Sequence, residues 1–200
     1  MTVLPYNSQE SSKKDQVATM FDNISGTYDF LNHFLSLGID NIWRRNAIKK
    51  LIEIKPRQIL DIATGTGDFA IASLKLNPEK VTGIDISVGM LDMGREKLKK
   101  RKLDSRVELL EGDSESIQFE DNKFDAIIVA FGVRNFENLE KGLAEMWRVL
   151  RPGGKAVILE FSQPRTFPFK QGYNFYFSSI LPKIGKLVSK DSSAYTYLPE

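Results

Sequence analysis

Two hundred residues, 42% of them hydrophobic and 27% charged, fit one globular domain and exclude a disordered or fibrous chain. Lys+Arg 28 against Asp+Glu 26 leaves +2, too even a balance to announce a nucleic-acid binder. The absence of cysteine excludes disulfides, thiolate metal sites and a cysteine nucleophile, and a single histidine, His33, excludes a His-rich metal centre, so no metal site is expected. No apolar run is long enough to span a membrane, and Met1 to Gln16 lacks the apolar core of a signal peptide, so a cytoplasmic protein is expected.

Residues 1–16 are polar and read as a mobile N-terminus. Val17, Met20, Phe21 and Ile24 then fall at helical spacing, with a break expected at Gly26. A second short helix carries Phe30, Leu31, Phe34 and Leu35. Asp40 is the expected N-cap of a third, whose inner face holds Trp43, Ala47, Ile48, Leu51 and Ile52. Apolar runs then predict five strands: Gln58 to Ala63, Lys80 to Ile84, Arg106 to Leu110, Asp125 to Ala130 and Lys155 to Phe161. Helical stretches alternate with them (Phe69 to Leu76, Ser87 to Lys102, Leu139 to Leu150), which predicts an α/β fold with a parallel sheet covered on both faces. Phe161, Phe167, Phe169, Tyr173, Phe175, Tyr176 and Phe177 crowd the stretch that follows. It is expected to pack on the sheet or to meet a greasy ligand. The expected organisation is one domain: 1–16 mobile, 17–55 a helical lid, 56–162 a ligand-binding core and 163–200 an aromatic, substrate-side segment.

The turn Asp61-Ile62-Ala63-Thr64-Gly65-Thr66-Gly67-Asp68 joins the first strand to a helix. Glycines there let a ligand approach the backbone, and the helix offers unpaired N–H groups. The spacing satisfies both a dinucleotide fingerprint and that of S-adenosylmethionine sites. Asp85, closing the second strand, can accept both hydroxyls of a ribose in either case. Gly112-Asp113-Ser114 follows the third strand, where an acidic turn can take an adenine amino group. Leu150-Arg151-Pro152-Gly153-Gly154 turns into the fifth strand, a pattern characteristic of class I methyltransferases and foreign to dehydrogenases. A dehydrogenase would also need a substrate domain for which there is little room.

After the fourth strand the chain reads Phe131-Gly132-Val133-Arg134-Asn135, not the Asn/Asp-Pro-Pro-Tyr of amino-group methyltransferases. The cations Arg95, Lys97, Lys99, Lys100, Arg101, Lys102 and Arg106 are read as a solvated helix end, so no nucleic-acid partner is expected. Taken together, Phe21-Asp22-Asn23-Ile24-Ser25, Tyr28-Asp29-Phe30-Leu31-Asn32-His33, Leu35 to Asp40 and Trp43-Arg44 resemble the first signature of the ubiquinone/menaquinone biosynthesis C-methyltransferase family. Arg148 to Gly154 with Leu159 to Pro164 is similar to the second, and Phe131 to Asn135 and the tail from Leu181 to Glu200 also match.

The resemblance implies a class I, Rossmann-like fold preceded by N-terminal helices, the chain ending before the family's last strands. It implies S-adenosylmethionine as donor, bound by Thr66, Asp85, Asp113 and Ser114, with Gly65 and Gly67 supplying close backbone. The implied acceptor is a prenylated quinol: demethylmenaquinol, or a methoxy-polyprenyl-benzoquinol, methylated at carbon. On that reading Arg134 stabilises the developing phenolate, Asn135 orients the ring, and Tyr28 and Asp29 close over the pocket, with Asp29 or His33 accepting the proton. Transient contact with the membrane surface is expected of an enzyme with a lipid acceptor, and homo-oligomerisation is left open. An RNA or small-molecule O-methyltransferase, or a donor-binding scaffold without activity, are the alternatives.

Overall fold

The computed structural model describes residues 5–6, 11–35, 38–160, 162, 166–167 and 171, without the side chains of Thr27 and residues 29–35. Helix α1, Lys13–Leu35, begins inside the stretch expected to be mobile and runs unbroken through Gly26. A glycine costs a helix about 1 kcal/mol relative to alanine. Here the burial of Val17, Met20 and Ile24 outweighs it, and no neighbour approaches the space a Gly26 Cβ would fill. Helix α2, Ile39–Lys49, is preceded by Gly38 at φ 74°, and Asp40 is not its cap. Asp40 is buried in the first turn and paired one turn on with Arg44, itself buried.

Strands β1 (Gln58–Ile62), β2 (Lys80–Asp85), β3 (Val107–Glu111), β4 (Phe124–Ala130) and β5 (Leu150–Leu159) form one parallel sheet in the order β3-β2-β1-β4-β5. Helices α3 (Asp68–Ser73), α4 (Val88–Arg101) and α5 (Leu139–Val149) are the crossovers, each close to its expected span. The pleat sends successive side chains to opposite faces. Ile59, Val81, Ala126 and Ile128 join Ala47, Ile48, Phe69, Leu91 and Leu98 in one core; Leu60, Ile62, Ile84, Ile127 and Val129 join Phe136, Met146 and Val149 in the other. The chain reverses direction of winding between β1 and β4, so a crevice opens at the carboxyl ends of these strands, where doubly wound sheets bind ligands.

Strand β5 departs from expectation. It starts at Leu150, opposite Phe124, and resumes its register at Lys155 opposite Ala126, so the Arg-Pro-Gly-Gly stretch is a bulge within the strand. Gly153 takes φ 81°, and a Cβ on Gly154 would lie 2.8 Å from the Asp125 carbonyl oxygen. Asp125 anchors this end of the sheet: Oδ1 accepts from Arg151, and Oδ2 accepts the N–H groups of Arg57 and Gln58.

Gly94, on the inner face of α4, lets the helix close on the turn after β1. A Cβ there would lie 2.6 Å from Leu109 Cδ1 and 2.9 Å from the carbonyl oxygen of Thr66. In an unhindered helix Gly→Ala stabilises by roughly 1 kcal/mol. The clash with backbone reverses the sign, and Gly94→Ala is expected to destabilise by about 1–3 kcal/mol. The urea midpoint checks it, a rise excluding the close contact.

Candidate active site

Strand β1 runs into a turn in which Ala63, Gly65 and Gly67 all have positive φ (52°, 56° and 83°). Two glycines take this conformation without strain, and at Gly67 the bare Cα also faces Leu109. The Thr64 N–H donates to the carbonyl of Ile84, tying the turn to β2. Asp85, at the tip of β2, completes the tie: its Oδ2 accepts the Gly65 N–H at 2.7 Å and its Oδ1 the Ser87 N–H at 2.9 Å. A carboxylate offers about four acceptor positions, so capacity remains for a ligand. Burial pushes the Asp85 carboxyl above its usual range, and the Asp22 carboxylate adds to the push against the backbone N–H bonds.

The third strand delivers Asp113, whose Oδ1 accepts the Glu115 N–H and whose Oδ2 accepts Lys14 Nζ at 2.5 Å. Buried Glu115 accepts the N–H groups of Glu137 and Asn138, which fixes the segment after β4 beside the segment after β3. After β4, Phe131 holds φ 59°, and Val133–Asn135 form a 3-10 turn.

Helix α1 closes the crevice and is pinned at two points. Near its start, Lys13 Nζ donates to the carbonyls of Arg134 and Phe136, and its backbone N–H donates to Glu137. One face further along, Asp22 accepts Ser87 Oγ–H and the Gly89 N–H at the start of α4. A carboxylate is favoured there by the helix dipole.

Of the residues expected to form the site, the crevice is lined by Tyr28, Gly65, Asp85, Asp113, Ser114 and Asn135. Thr66 and Gly67 are part of the same turn but do not line it. Thr66 is buried with its Oγ1 accepting Lys97 Nζ at 2.8 Å, and Gly67 caps α3. Arg134 is not among the lining residues; it is half-buried, with its guanidinium 3.8 Å from Glu160. The side chains of Asp29 and His33 lie outside the described residues, as do the aromatics of 161–177 other than exposed Phe167. Lys14, Phe21, Met90 and Glu137 also line the crevice and were not singled out from sequence. Phe21 sits on the apolar stripe of α1, and spacing alone does not distinguish a core position from a lining one. Three cations of α4 are engaged within the fold, Lys97 with Asp68, Arg95 with Asp92 and the Leu109 carbonyl, and Lys100 with Glu96, while Lys99 and Arg101 have no ion pair among the described residues.

Beneath the turn lies a second acid. The pleat sends Asp61 to the face covered by α2 and α3, where it is fully buried and accepts Thr64 Oγ1–H at 2.7 Å. Burial pushes its carboxyl up to about 7 despite that hydrogen bond, an N–H from Ala70 and the positive charge of Arg44. An unfolded aspartate releases its proton near pH 3.9. Between about 4 and 7 the folded chain therefore holds a proton that the unfolded chain has lost, and this group's contribution to stability falls as pH rises through that window. Asp61→Asn is expected to remove that slope. Urea midpoints at about pH 5 and about pH 7.5, which span most of that window, should converge in the variant relative to the parent, and an unchanged difference would refute a neutral Asp61.

Comparison with known proteins agrees with this architecture. Over residues 9–200 the chain matches the ubiE/COQ5 methyltransferase family. It is 55% identical over 199 residues to a demethylmenaquinone methyltransferase of Bacteroides fragilis, covering 99% of this chain and 81% of that protein. It is 46% identical to a protein of the same name from Porphyromonas gingivalis, again over 99% of this chain and 81% of the relative. The ubiquinone/menaquinone biosynthesis C-methyltransferase UbiE of Geotalea daltonii is 47% identical over 95% of this chain and 81% of its own. Among solved structures, a protein of Methanococcus maripaludis described as a putative S-adenosyl-L-methionine-dependent methyltransferase aligns over 92% of this chain and 80% of its own, with a TM-score of 0.61 at 20% identity. The [4+2]-cyclase SpnF aligns over 77% and 63%, with a TM-score of 0.63 at 21% identity. At such identities these two establish the class I, Rossmann-like fold alone. A glycine turn tied to the acid ending β2, in a sheet of this order, with a match that runs through nearly every residue, places the chain in the ubiE/COQ5 methyltransferase family.

Proposed function

We propose that this protein transfers a methyl group from S-adenosylmethionine to a ring carbon of a prenylated quinol, with demethylmenaquinol as acceptor. The observation that carries this reading is the match, over nearly the whole chain, to relatives named for that reaction. The donor suits the residues present. It is a cation, and the crevice gathers the carboxylates of Asp85, Asp113, Glu115 and Glu137, with Ile86 and Met90 as apolar surface for a base.

Asp85 holds the ribose hydroxyls, Asp113 and Ser114 meet the adenine edge, and Gly65, Thr66 and Gly67 shape the turn that receives the rest. Bound there, the donor supplies an electrophilic methyl on a sulfonium, which a nucleophilic ring carbon takes as the carbon–sulfur bond breaks, the ring then losing its own proton. The protein's share is positioning and electrostatics. Arg134 stabilises the oxygen of the ionising quinol, Asn135 orients the ring, and Tyr28 shuts the crevice from α1, a role also expected of Asp29, whose side chain lies outside the described residues. Asp29 or His33 takes the hydroxyl proton. Residues 17–55 serve as lid and 56–162 as donor-binding core, while the substrate-side role expected of 163–200 falls on a stretch of which only 166–167 and 171 are among the described residues. No helix among the described residues is long and apolar enough to cross a membrane. A lipid acceptor is then met by peripheral contact with the bilayer.

Labelled S-adenosylmethionine offered with a short-tailed demethylnaphthoquinol, a methoxybenzoquinol and tRNA tests the reading. Label is expected on carbon of the naphthoquinol. Label on tRNA alone would overturn it, and failure to bind the donor by calorimetry would leave a scaffold.

A further inference from the structure

We propose that the outer face of α2 is a docking surface for an anionic lipid bilayer. The proposal rests on the reading of the acceptor as a prenylated quinol, and gives the peripheral contact a place on the molecule.

At 3.6 residues per turn, the buried positions Asp40, Arg44, Ala47 and Ile48 define the inner face of α2. The opposite arc is centred on Ile42 and carries Ile39, Trp43, Arg45, Asn46, Lys49 and Lys50. Its apolar members are exposed: Ile39 by 42%, Ile42 by 54% and Trp43 by 36%, with Ile52 just beyond at 55%. Its charged members are all cations. The only acid of the helix, Asp40, points inward to Arg44. Lys155 of β5 lies beside Lys49 and Lys50 across a shallow depression, and Glu53 is the one acid there, 3.3 Å from Lys155.

This face differs from the rest of the charged surface. Elsewhere many cations are matched, Arg57 with Glu79, Lys80 with Glu108, Arg95 with Asp92, Arg148 with Glu145 and Asp121, Arg151 with Asp125, and the unpaired Lys99, Arg101 and Lys102 at the end of α4 have no exposed large hydrophobic among residues 94–106. Arg45, Lys49 and Lys50 have no ion pair among the described residues. The other exposed apolar row, Leu139, Leu143 and Trp147 on α5, runs between Glu140, Lys141 and the paired Arg148, so it carries no net charge that would select a partner. Isoleucines and a tryptophan set among unpaired lysine and arginine, with the one acid, Glu53, taken up by Lys155, match the acyl–headgroup boundary of an anionic membrane. The apolar groups enter it while the cations meet lipid phosphates.

The surface also adjoins the site. The Trp43 ring meets Phe131 edge-on at 6.3 Å, and Arg44 stands 6.0 Å over the same ring, while Phe131 lines the crevice. Docking through α2 therefore sets the crevice beside the lipid phase from which a long-tailed quinol is drawn.

Sedimentation of the whole protein with phosphatidylcholine vesicles, with and without phosphatidylglycerol, tests this without donor or quinol. Binding is expected to the anionic vesicles only, and to be lost in high salt. Each basic residue near such a surface adds about five-fold to the partition constant. The triple variant Arg45→Gln, Lys49→Gln, Lys50→Gln should bind about 100-fold more weakly, and Ile42→Ser should also bind less. Both should keep the parent's circular dichroism and methylate a soluble, short-tailed quinol at the parent's rate. Equal binding to neutral vesicles, or undiminished binding by the triple variant, overturns the proposal. So does capture by polyglutamate where vesicles fail, an outcome that assigns the face to an acidic protein. Vesicle binding without methylation of any quinol leaves the docking surface standing and removes the function proposed above.

Discussion

Replacing Asp85 with alanine is expected to weaken the binding of S-adenosylmethionine by roughly 30- to 1,000-fold, measured by calorimetry. Hydrogen bonds to a charged group are each worth about 1.5–3 kcal/mol, and a ribose presents two hydroxyls to the same carboxylate. A net loss of about 2–4 kcal/mol follows, at one tenfold step per 1.4 kcal/mol. The substitution has a second effect, because Asp85 also receives the N–H groups of Gly65 and Ser87. Leaving these without an acceptor costs stability on its own account, about 1–3 kcal/mol for a buried group. Asp85→Asn separates the two effects. Its amide oxygen can still accept one of the two N–H groups, so the turn is better supported, but the charge is gone. If the asparagine variant keeps most of the parent's denaturation midpoint and still binds the donor poorly, the carboxylate acts on the ligand. If both variants bind the donor as the parent does, Asp85 is a structural tie and nothing more.

The strands were legible because apolar runs of five to seven residues, alternating with helical stretches, have few other solutions in a chain of this length. The glycine turn was legible for the same reason: glycines at Gly65 and Gly67, with a carboxylate two elements on, are spaced by the geometry that ties them together. What failed did so where a local signal met a tertiary one. Gly26 reads as a break, yet α1 is held straight by Val17, Met20 and Ile24 on one side and by Asp22 at the start of α4. The Pro-Gly-Gly turn reads as the approach to β5, yet Leu150 already pairs with Phe124 and the glycines form a bulge. Asp40 reads as a cap because aspartate before an apolar stripe usually is one. Its partner Arg44 lies in the sequence at helical spacing, but that both are buried depends on what packs over them. The grip of Lys14 on Asp113 joins residues 99 apart in sequence, and no periodicity encodes a contact between an N-terminal lysine and the turn after the third strand. Contacts of this sort hold α1 against the crevice, which is why the glycine turn and the acid that ties it could be read from sequence and the contacts of α1 could not.

Arg134→Ala is expected to lower kcat for quinol methylation by about 100-fold or more, the loss seen when one donor to a developing oxyanion is removed, while leaving donor affinity unchanged. The donor's contacts are assigned to the tips of β1, β2 and β3, whereas Arg134 sits after β4, so the two functions fall on different elements. Its guanidinium lies 3.8 Å from Glu160, on the segment whose Gly132 and Asn135 line the crevice. Lysine at this position keeps a charge but not the planar fork, so Arg134→Lys should recover only part of the rate. The rival account makes Arg134 a structural cation held by Glu160. It predicts that Glu160→Gln and Arg134→Ala lower the denaturation midpoint alike and lower kcat alike. On the reading favoured here, Glu160→Gln leaves the cation in place, and freed of its counter-charge, to stabilise the phenolate. Its rate should then match or exceed that of the parent. A Glu160→Gln enzyme as slow as Arg134→Ala would remove Arg134 from the chemistry.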